Sequence, residues 1–342
     1  MAYQHGWIEL VCPRCQGELH ERPAQSAHVD RVLHCASCPH DYEVVLGIPD
    51  LRIFPDPYIS AIGDQVKGRM LATTFEGSDL AAMARLYYHI TPETPPRDVE
   101  LNLVRLQGAV ARASATLASL DASLGPVRGE RLLEVGCGTA PMLIAAADRF
   151  PSRVGVDVSF RWLVMARRRL ADHGVEVPLV AACGEALPFR PGTFDTVLMD
   201  SYLEITADQD AALEGAARVL APKGRLVAST PNRFSVGPDP HVGVPGGGYL
   251  PQFVVNSIAK QRMARPPLRH LLGPGGLARA LRRAGYGNVR VQLAQVSDAQ
   301  LATQGAFGRM AGTWFNRLSH LPVARQLLRG IGPILHASGH RA

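Results

Sequence analysis

From residue 131 onward, short apolar runs ending in glycine or an acid alternate with longer amphipathic stretches. The runs at 131–135, 153–158, 177–182, 194–200 and 225–230 are too short for helices and mostly apolar, with their charges largely at the ends, which predicts parallel strands buried on both faces. Between and after them, 141–149, 160–172, 209–220 and 275–285 place apolar residues at helical spacing, and Leu220-Ala-Pro-Lys-Gly224 closes the third helix with Gly224 as its stop. Strand and helix in strict alternation predict the α/β class, a doubly wound sheet with helices on both faces. Upstream, Leu80, Met83, Ala84, Tyr87 and Tyr88 recur at helical spacing. Thr91-Pro-Glu-Thr-Pro-Pro breaks that run and 104–120 resumes it, so residues 56–128 read as a helical connector. Nearer the start, Tyr42, Val44 and Leu46 alternate as strand residues do.

The chemistry concentrates where the first of these strands ends. Glu134-Val-Gly-Cys-Gly-Thr-Ala140 follows apolar Leu132 and Leu133 and runs into a helix opened by Pro141. Glycines at Gly136 and Gly138 allow a sharp turn and close ligand approach, and the helix entrance offers unpaired NH groups. The second strand, Arg153-Val-Gly-Val-Asp157, ends in an acid 21 positions after Gly136. That spacing suits a carboxylate accepting both hydroxyls of a ribose. A dinucleotide fold would want a third glycine at 141, which is Pro141, so nicotinamide and flavin binding are disfavoured.

Glu134-x-Gly136-x-Gly138-x-Ala140 resembles the first motif of class I S-adenosylmethionine-dependent methyltransferases, with Ala140 for the usual third glycine, a mild change wherever φ stays negative. Cys183-Gly-Glu-Ala-Leu-Pro-Phe189 resembles the family's adenine-reading segment, although Cys183 stands where Asp is usual. Glu185, or backbone near Gly184, would then stand in. Phe194-Asp-Thr-Val-Leu-Met-Asp-Ser-Tyr-Leu-Glu204 resembles the fourth motif, at the lip where the methyl group is presented, with Ile205 where a histidine is common. Arg218 to Asn232 matches the segment entering the fifth strand. The resemblance covers about 130–232, returns at 274–291 and is closest to ubiquinone-pathway methyltransferases. It implies a Rossmann-like, seven-stranded, mostly parallel sheet with an antiparallel last strand near Ile334–Ser338, and S-adenosyl-L-methionine as cofactor. Carried over by motif, the cofactor-binding residues are Glu134, Gly136, Cys137, Gly138, Asp157, Val158, Cys183, Gly184, Glu185 and Asp200, with Tyr88 as an aromatic lid from the connector. Where the acceptor carries a proton, His241, Asp200 and Glu204 are the candidate catalytic bases, His241 first.

Six cysteines fall as Cys12-Pro-Arg-Cys15, Cys35-Ala-Ser-Cys38 and two scattered residues, with 19 positions between the two pairs. This is metal-site spacing and not a disulfide framework, and four filled positions predict a closed, structural Zn2+ site. Residues 1–55 thus read as a zinc ribbon, which resembles the zinc module of the Trm112 type and that of ribosomal RNA guanine methyltransferases of the RlmA type. Residues 129–342 then form a methyltransferase domain with a core of its own, so that cofactor binding would survive loss of the metal.

Charge is uneven along the chain. Residues 1–60 carry 4 basic and 8 acidic side chains, 61–232 carry 18 and 20, and 233–342 carry 14 and 2. The basic C-terminal third suits an acidic carrier or a membrane surface. A Gly- and Pro-rich insertion at 234–272, including Pro240 and a helix from Gln252 to Met263, sits where insertions select substrates. In the extension 298–332, Met310, Trp314, Phe315, Leu318 and Leu321 share a face apart from Arg309 and Arg317, and Leu327, Leu328 and Ile331 continue it after Pro322 with Arg325 and Arg329. No apolar run is long enough to span a bilayer and the first residues lack the pattern of a secretion signal, so a cytoplasmic protein is expected, at most peripheral at the inner membrane surface. A small organic, lipid-linked or carrier-bound acceptor fits these features. Nucleic acid fits less well, because the ribbon is acidic and lacks aromatic residues interleaved with basic ones. The alternatives are an RNA base methyltransferase and an inactive binding module of the same fold.

Overall fold

The computed structural model describes residues 2–92, 94–239, 241–262, 269–294, 306–319, 321, 328 and 330–342. Glu93, Pro240, Met263, Pro322, Arg325, Leu327 and Arg329, singled out above, lie outside them.

The N-terminal module consists of short strands β1 (Gln4–His5), β2 (Ile8–Glu9), β3 (Leu19–Pro23), β4 (Arg31–Cys35), β5 (Asp41–Val45) and β6 (Ile48–Asp50). Four helices follow: α1 (Ala61–Ala72), α2 (Leu80–His89), α3 (Pro96–Gln107) and α4 (Ala109–Leu124). Ser60 and Asp79 cap the first two, each side chain accepting a backbone NH in the first turn. The alternating region then runs β7 (Arg131–Val135), α5 (Pro141–Ala145), β8 (Ser152–Asp157), α6 (Phe160–Asp172), β9 (Leu179–Ala181), β10 (Phe194–Asp200), α7 (Gln209–Val219) and β11 (Leu220–Pro231). After it come α8 (Gln252–Arg262), α9 (Pro274–Arg283), β12 (Tyr286–Leu293), α10 (Ala306–Ser319) and β13 (Ile334–Arg341).

Eleven strands form one sheet in the order β12-β13-β11-β10-β7-β8-β9-β6-β5-β4-β3. The seven strands from β12 to β9 are the expected sheet, with β13 antiparallel between β11 and β12 and the pairs from β11 to β9 parallel. Every strand expected at 131–230 is present. The seven-stranded expectation implies β12 but does not place it along the chain: a register shift between Gly287 and Arg290, with Asn288 at φ +48°, interrupts the alternation by which such a strand is read. Gly224 is not the stop of α7. The left-handed residue there is Lys223, at φ +65°, and the chain turns extended at Leu220.

The cysteine module does not have a core of its own. β6 lies parallel to β9 through the single pair Asp50 and Ala181, extended by the Leu51 amide donating to the Ala181 carbonyl at 2.8 Å. Tyr3, Ile8, Leu10, Leu19 and Leu33 of the module are buried in one apolar cluster with Val135, Val156, Phe189 and Phe194 of the sheet. Such shared burial makes the two regions mutually stabilising. No helix among the described residues is long and apolar enough to cross a membrane.

Candidate cofactor, acceptor and metal sites

Parallel strands deliver their C-terminal ends to one edge, and three carboxylates meet there. Asp200 ends β10, Glu134 lies in β7 and Asp157 ends β8, on three adjacent strands. Gly136 and Gly138 take φ +78° and +50°, bending the backbone over this edge. The amides of Gly136 and Cys137 both donate to the Val156 carbonyl, at 2.8 and 3.0 Å. Asp157 accepts the Gly138 amide on Oδ2 and the Ser159 amide on Oδ1, both at 2.8 Å. It is therefore fixed in place with lone pairs left over, since each carboxylate oxygen accepts twice. Burial pushes the Asp157 and Asp200 carboxyls upward. Glu134 is pushed furthest, by burial and then by the charges of Asp200 and Asp157. Its Oε2 is buried without a hydrogen-bond partner. An orphaned carboxylate oxygen beside two further acids is a place for a cation, and S-adenosylmethionine carries two, an ammonium and a sulfonium, together with a ribose for Asp157. The residues present fit that cofactor.

Ala140 corrects the expectation of a negative φ at this position. It takes φ +61°, so the alanine is strained where glycine would be relaxed. Cys137 points inward, buried and with its thiol raised by desolvation, and a Cβ built on Gly155 would lie 2.8 Å from its sulfur. Its side chain fills the core beneath the glycine turn. Tyr88 does not line the cleft. Its ring lies edge-on to the core residue Tyr87, at 5.1 Å between centroids, and is partly buried against the apolar cluster beneath α2. Tyr58, which nothing in the sequence marked as an aromatic lid, sits at the cleft instead.

Beyond Gly136 the cleft, about 120 Å³, passes between Phe54, Pro55 and Pro57 on one side and Val158, Cys183, Gly184 and Glu185 on the other. Tyr202 lies across it. A Cβ on Gly136 would stand 2.7 Å from its ring, and one on Gly184 would strike its hydroxyl. Glu185 holds the turn that carries Tyr202, accepting from Thr206 Oγ1 at 2.5 Å and the Tyr202 hydroxyl at 3.5 Å.

A second cavity, about 200 Å³, opens at the ends of β10 and β11 and is lined by Ser201, Thr230, Asn232, Asp239, Gly248 and Ile334. The insertion roofs it. Arg269 donates to Asp239 at 2.6 Å and to the Gly247 carbonyl at 2.8 Å, pinning that roof. Beside it, His241 Nε2 stands 3.8 Å from Glu204 Oε1, and neither atom has a hydrogen-bond partner. Thr230 Oγ1 donates to the other Glu204 oxygen at 2.9 Å. Burial raises the Glu204 carboxyl to about 7 and lowers the His241 imidazole. The three proposed bases thus share one end of the sheet, but only His241 and Glu204 face each other.

In the N-terminal module, the sulfurs of Cys12, Cys15, Cys35 and Cys38 all lie within 4.8 Å of one another. Cys12 to Cys38 is 3.6 Å and Cys15 to Cys35 is 3.4 Å. A tetrahedral ion with bonds of about 2.3 Å needs sulfurs roughly 3.8 Å apart, so the donor set fits a thiophilic metal. Tyr42 places its hydroxyl 3.2 Å from Cys12 Sγ as an outer support. His34 pairs with Asp41 instead, at 2.7 Å.

Comparison with known proteins agrees with this geometry. A family described as a methyltransferase domain matches residues 133–228. Nocamycin O-methyltransferase of Saccharothrix syringae is 31% identical over 242 residues, covering 63% of this chain and 81% of that protein. Demethylmenaquinone methyltransferase of Thermus thermophilus is 35% identical over 137 residues, 40% of this chain, and the chain spans only 61% of that relative's length. Among solved structures, an S-adenosylmethionine-dependent methyltransferase from Thermotoga maritima is 19% identical with a TM-score of 0.46, covering 71% of this chain and 96% of its own. The glycine turn, the acid at its fixed distance and a relative 31% identical and covered to 81% lead to one conclusion: the chain belongs to the class I S-adenosylmethionine-dependent methyltransferases.

Proposed function

We propose that the protein methylates a hydroxyl of a small organic acceptor held in the cavity under the 234–272 insertion. The observation that carries this reading is the pair of orphaned atoms, His241 Nε2 and Glu204 Oε1, beside that cavity. A relative of which this chain covers 81% is named an O-methyltransferase. Bound at the Gly136–Asp157 edge, S-adenosylmethionine supplies a methyl group already activated by its sulfonium. The chain's own work is then alignment and exclusion of water. Asp157 holds the ribose, while Glu134 and Asp200 face the cationic end. His241 takes the proton of the acceptor hydroxyl on Nδ1, its other ring nitrogen, and Glu204, once ionised, stabilises the imidazolium from the Nε2 side. Basic residues of the C-terminal third suit an acceptor that is itself anionic or attached to an acidic carrier.

We further propose that Cys12, Cys15, Cys35 and Cys38 hold one structural zinc. All four coordination positions are taken, which leaves none for substrate.

A panel of phenolic and enolic acceptors, incubated with methyl-labelled cofactor, tests the reaction. His241→Ala should lower turnover by roughly a hundredfold or more while cofactor affinity is kept. Labelling that is unchanged in the variant would remove His241 from the chemistry.

A further inference from the structure

The outer wall of the cofactor cleft does not come from the doubly wound sheet. It comes from Phe54-Pro-Asp-Pro-Tyr58, the strap by which the chain leaves the cysteine module. Phe54, Pro55 and Pro57 line the cleft opposite Cys183 and Gly184, and Asp56 and Tyr58 line its continuation toward Thr139 and Ser159. Both ends of the strap are anchored. On the module side, Arg52 is held by Asp50 and Asp64 at 2.5 and 2.7 Å and donates to the Val158 carbonyl at 2.9 Å. On the sheet side, Asp56 is 4% exposed. It accepts from Arg161 Nη1 at 3.2 Å and from the Ser159 hydroxyl. Ser159 is the residue whose amide holds Asp157. Two prolines restrict the strap further.

The same strap accounts for the missing acid. Cys183 Sγ donates to the Phe54 carbonyl at 3.5 Å. An aspartate at 183 would set a carboxylate against that carbonyl, two acceptors with no proton between them. A thiol is a weak donor and fits.

We propose that the strap completes the cofactor site: the Phe54 carbonyl, with a second lone pair free, accepts the 6-amino group of adenine in place of the absent carboxylate. Asp56 is a positioning residue that acts on Asp157 through Ser159. This inference rests on S-adenosylmethionine being the cofactor.

Titration calorimetry of S-adenosylhomocysteine and of S-inosylhomocysteine, which lacks the 6-amino group, tests it on the full zinc-loaded chain. Wild type should prefer the adenine compound by roughly tenfold or more. Phe54→Ala and Asp56→Asn should each weaken S-adenosylhomocysteine binding by roughly tenfold at unchanged zinc content, and Cys183→Asp should not tighten it. Phe54 is 38% exposed, so its variant tests the wall even if Asp56→Asn unfolds. A wild type that binds neither compound overturns the cofactor reading and the strap with it. A wild type that binds both alike, variants that bind within about twofold of it, or a Cys183→Asp chain that binds more tightly overturns the strap alone.

Discussion

Ala140 is held at φ +61° directly before Pro141 opens α5. A left-handed alanine costs roughly 1–2 kcal/mol, offset in part by the greater freedom of glycine in the unfolded chain. Ala140→Gly should therefore raise the unfolding free energy by about 1 kcal/mol in urea titration, and a destabilised variant would show that burial of the methyl group outweighs the strain. Glu204 gives a pH signature. Its folded carboxyl keeps the proton up to about 7 against an ordinary 4.5, so between those values the folded state binds more protons than the unfolded one. Stability then falls as pH rises through that window. Glu204→Gln should remove the fall and stabilise the protein at pH 8 by on the order of 3 kcal/mol. Parallel pH profiles of the two thermal midpoints would refute the burial argument. At this scale the meeting of the glycine turn with Asp157 and the clustering of the four cysteines were legible, because both follow from spacing along the chain. The facing of His241 and Glu204 was not, because the insertion that brings them to 3.8 Å has no periodicity to read.

At the scale of elements, the junction of β6 with β9 decides how the cysteine module acts. It rests on one residue pair and one further amide, backed by a shared apolar core. Without metal a ribbon this small has too little core to stay folded. Cys15→Ser should release the ion, loosen β3 to β6 and free the strap at Phe54–Tyr58. Cofactor affinity should then fall by roughly tenfold, contrary to the independence expected when the two regions are read as separate cores. Elemental analysis and calorimetry on the same sample check both halves, and metal loss with intact cofactor binding would uncouple them. The parallel strands and their helices could be read from apolar runs, as could the metal spacing. The joining of β6 to β9 could not, since a single Asp50–Ala181 pair leaves no pattern in either segment.

For the whole molecule, one sheet edge carries both the glycine turn and the acceptor cavity, so ligand binding should be felt globally. S-adenosylhomocysteine at about 100 times its Kd should add roughly 2.7 kcal/mol to stability and raise the thermal midpoint accordingly. An unmoved midpoint would mean the folded chain does not bind it. The Gly136–Asp157 edge is where S-adenosylmethionine should bind, and calorimetry of the cofactor on wild type and on Asp157→Ala reads this. One cofactor should bind per chain, and the variant should lose roughly 1.5–3 kcal/mol of binding free energy, the range for hydrogen bonds to a charged group. Equal affinity in the two proteins, or no binding to wild type, would contradict it.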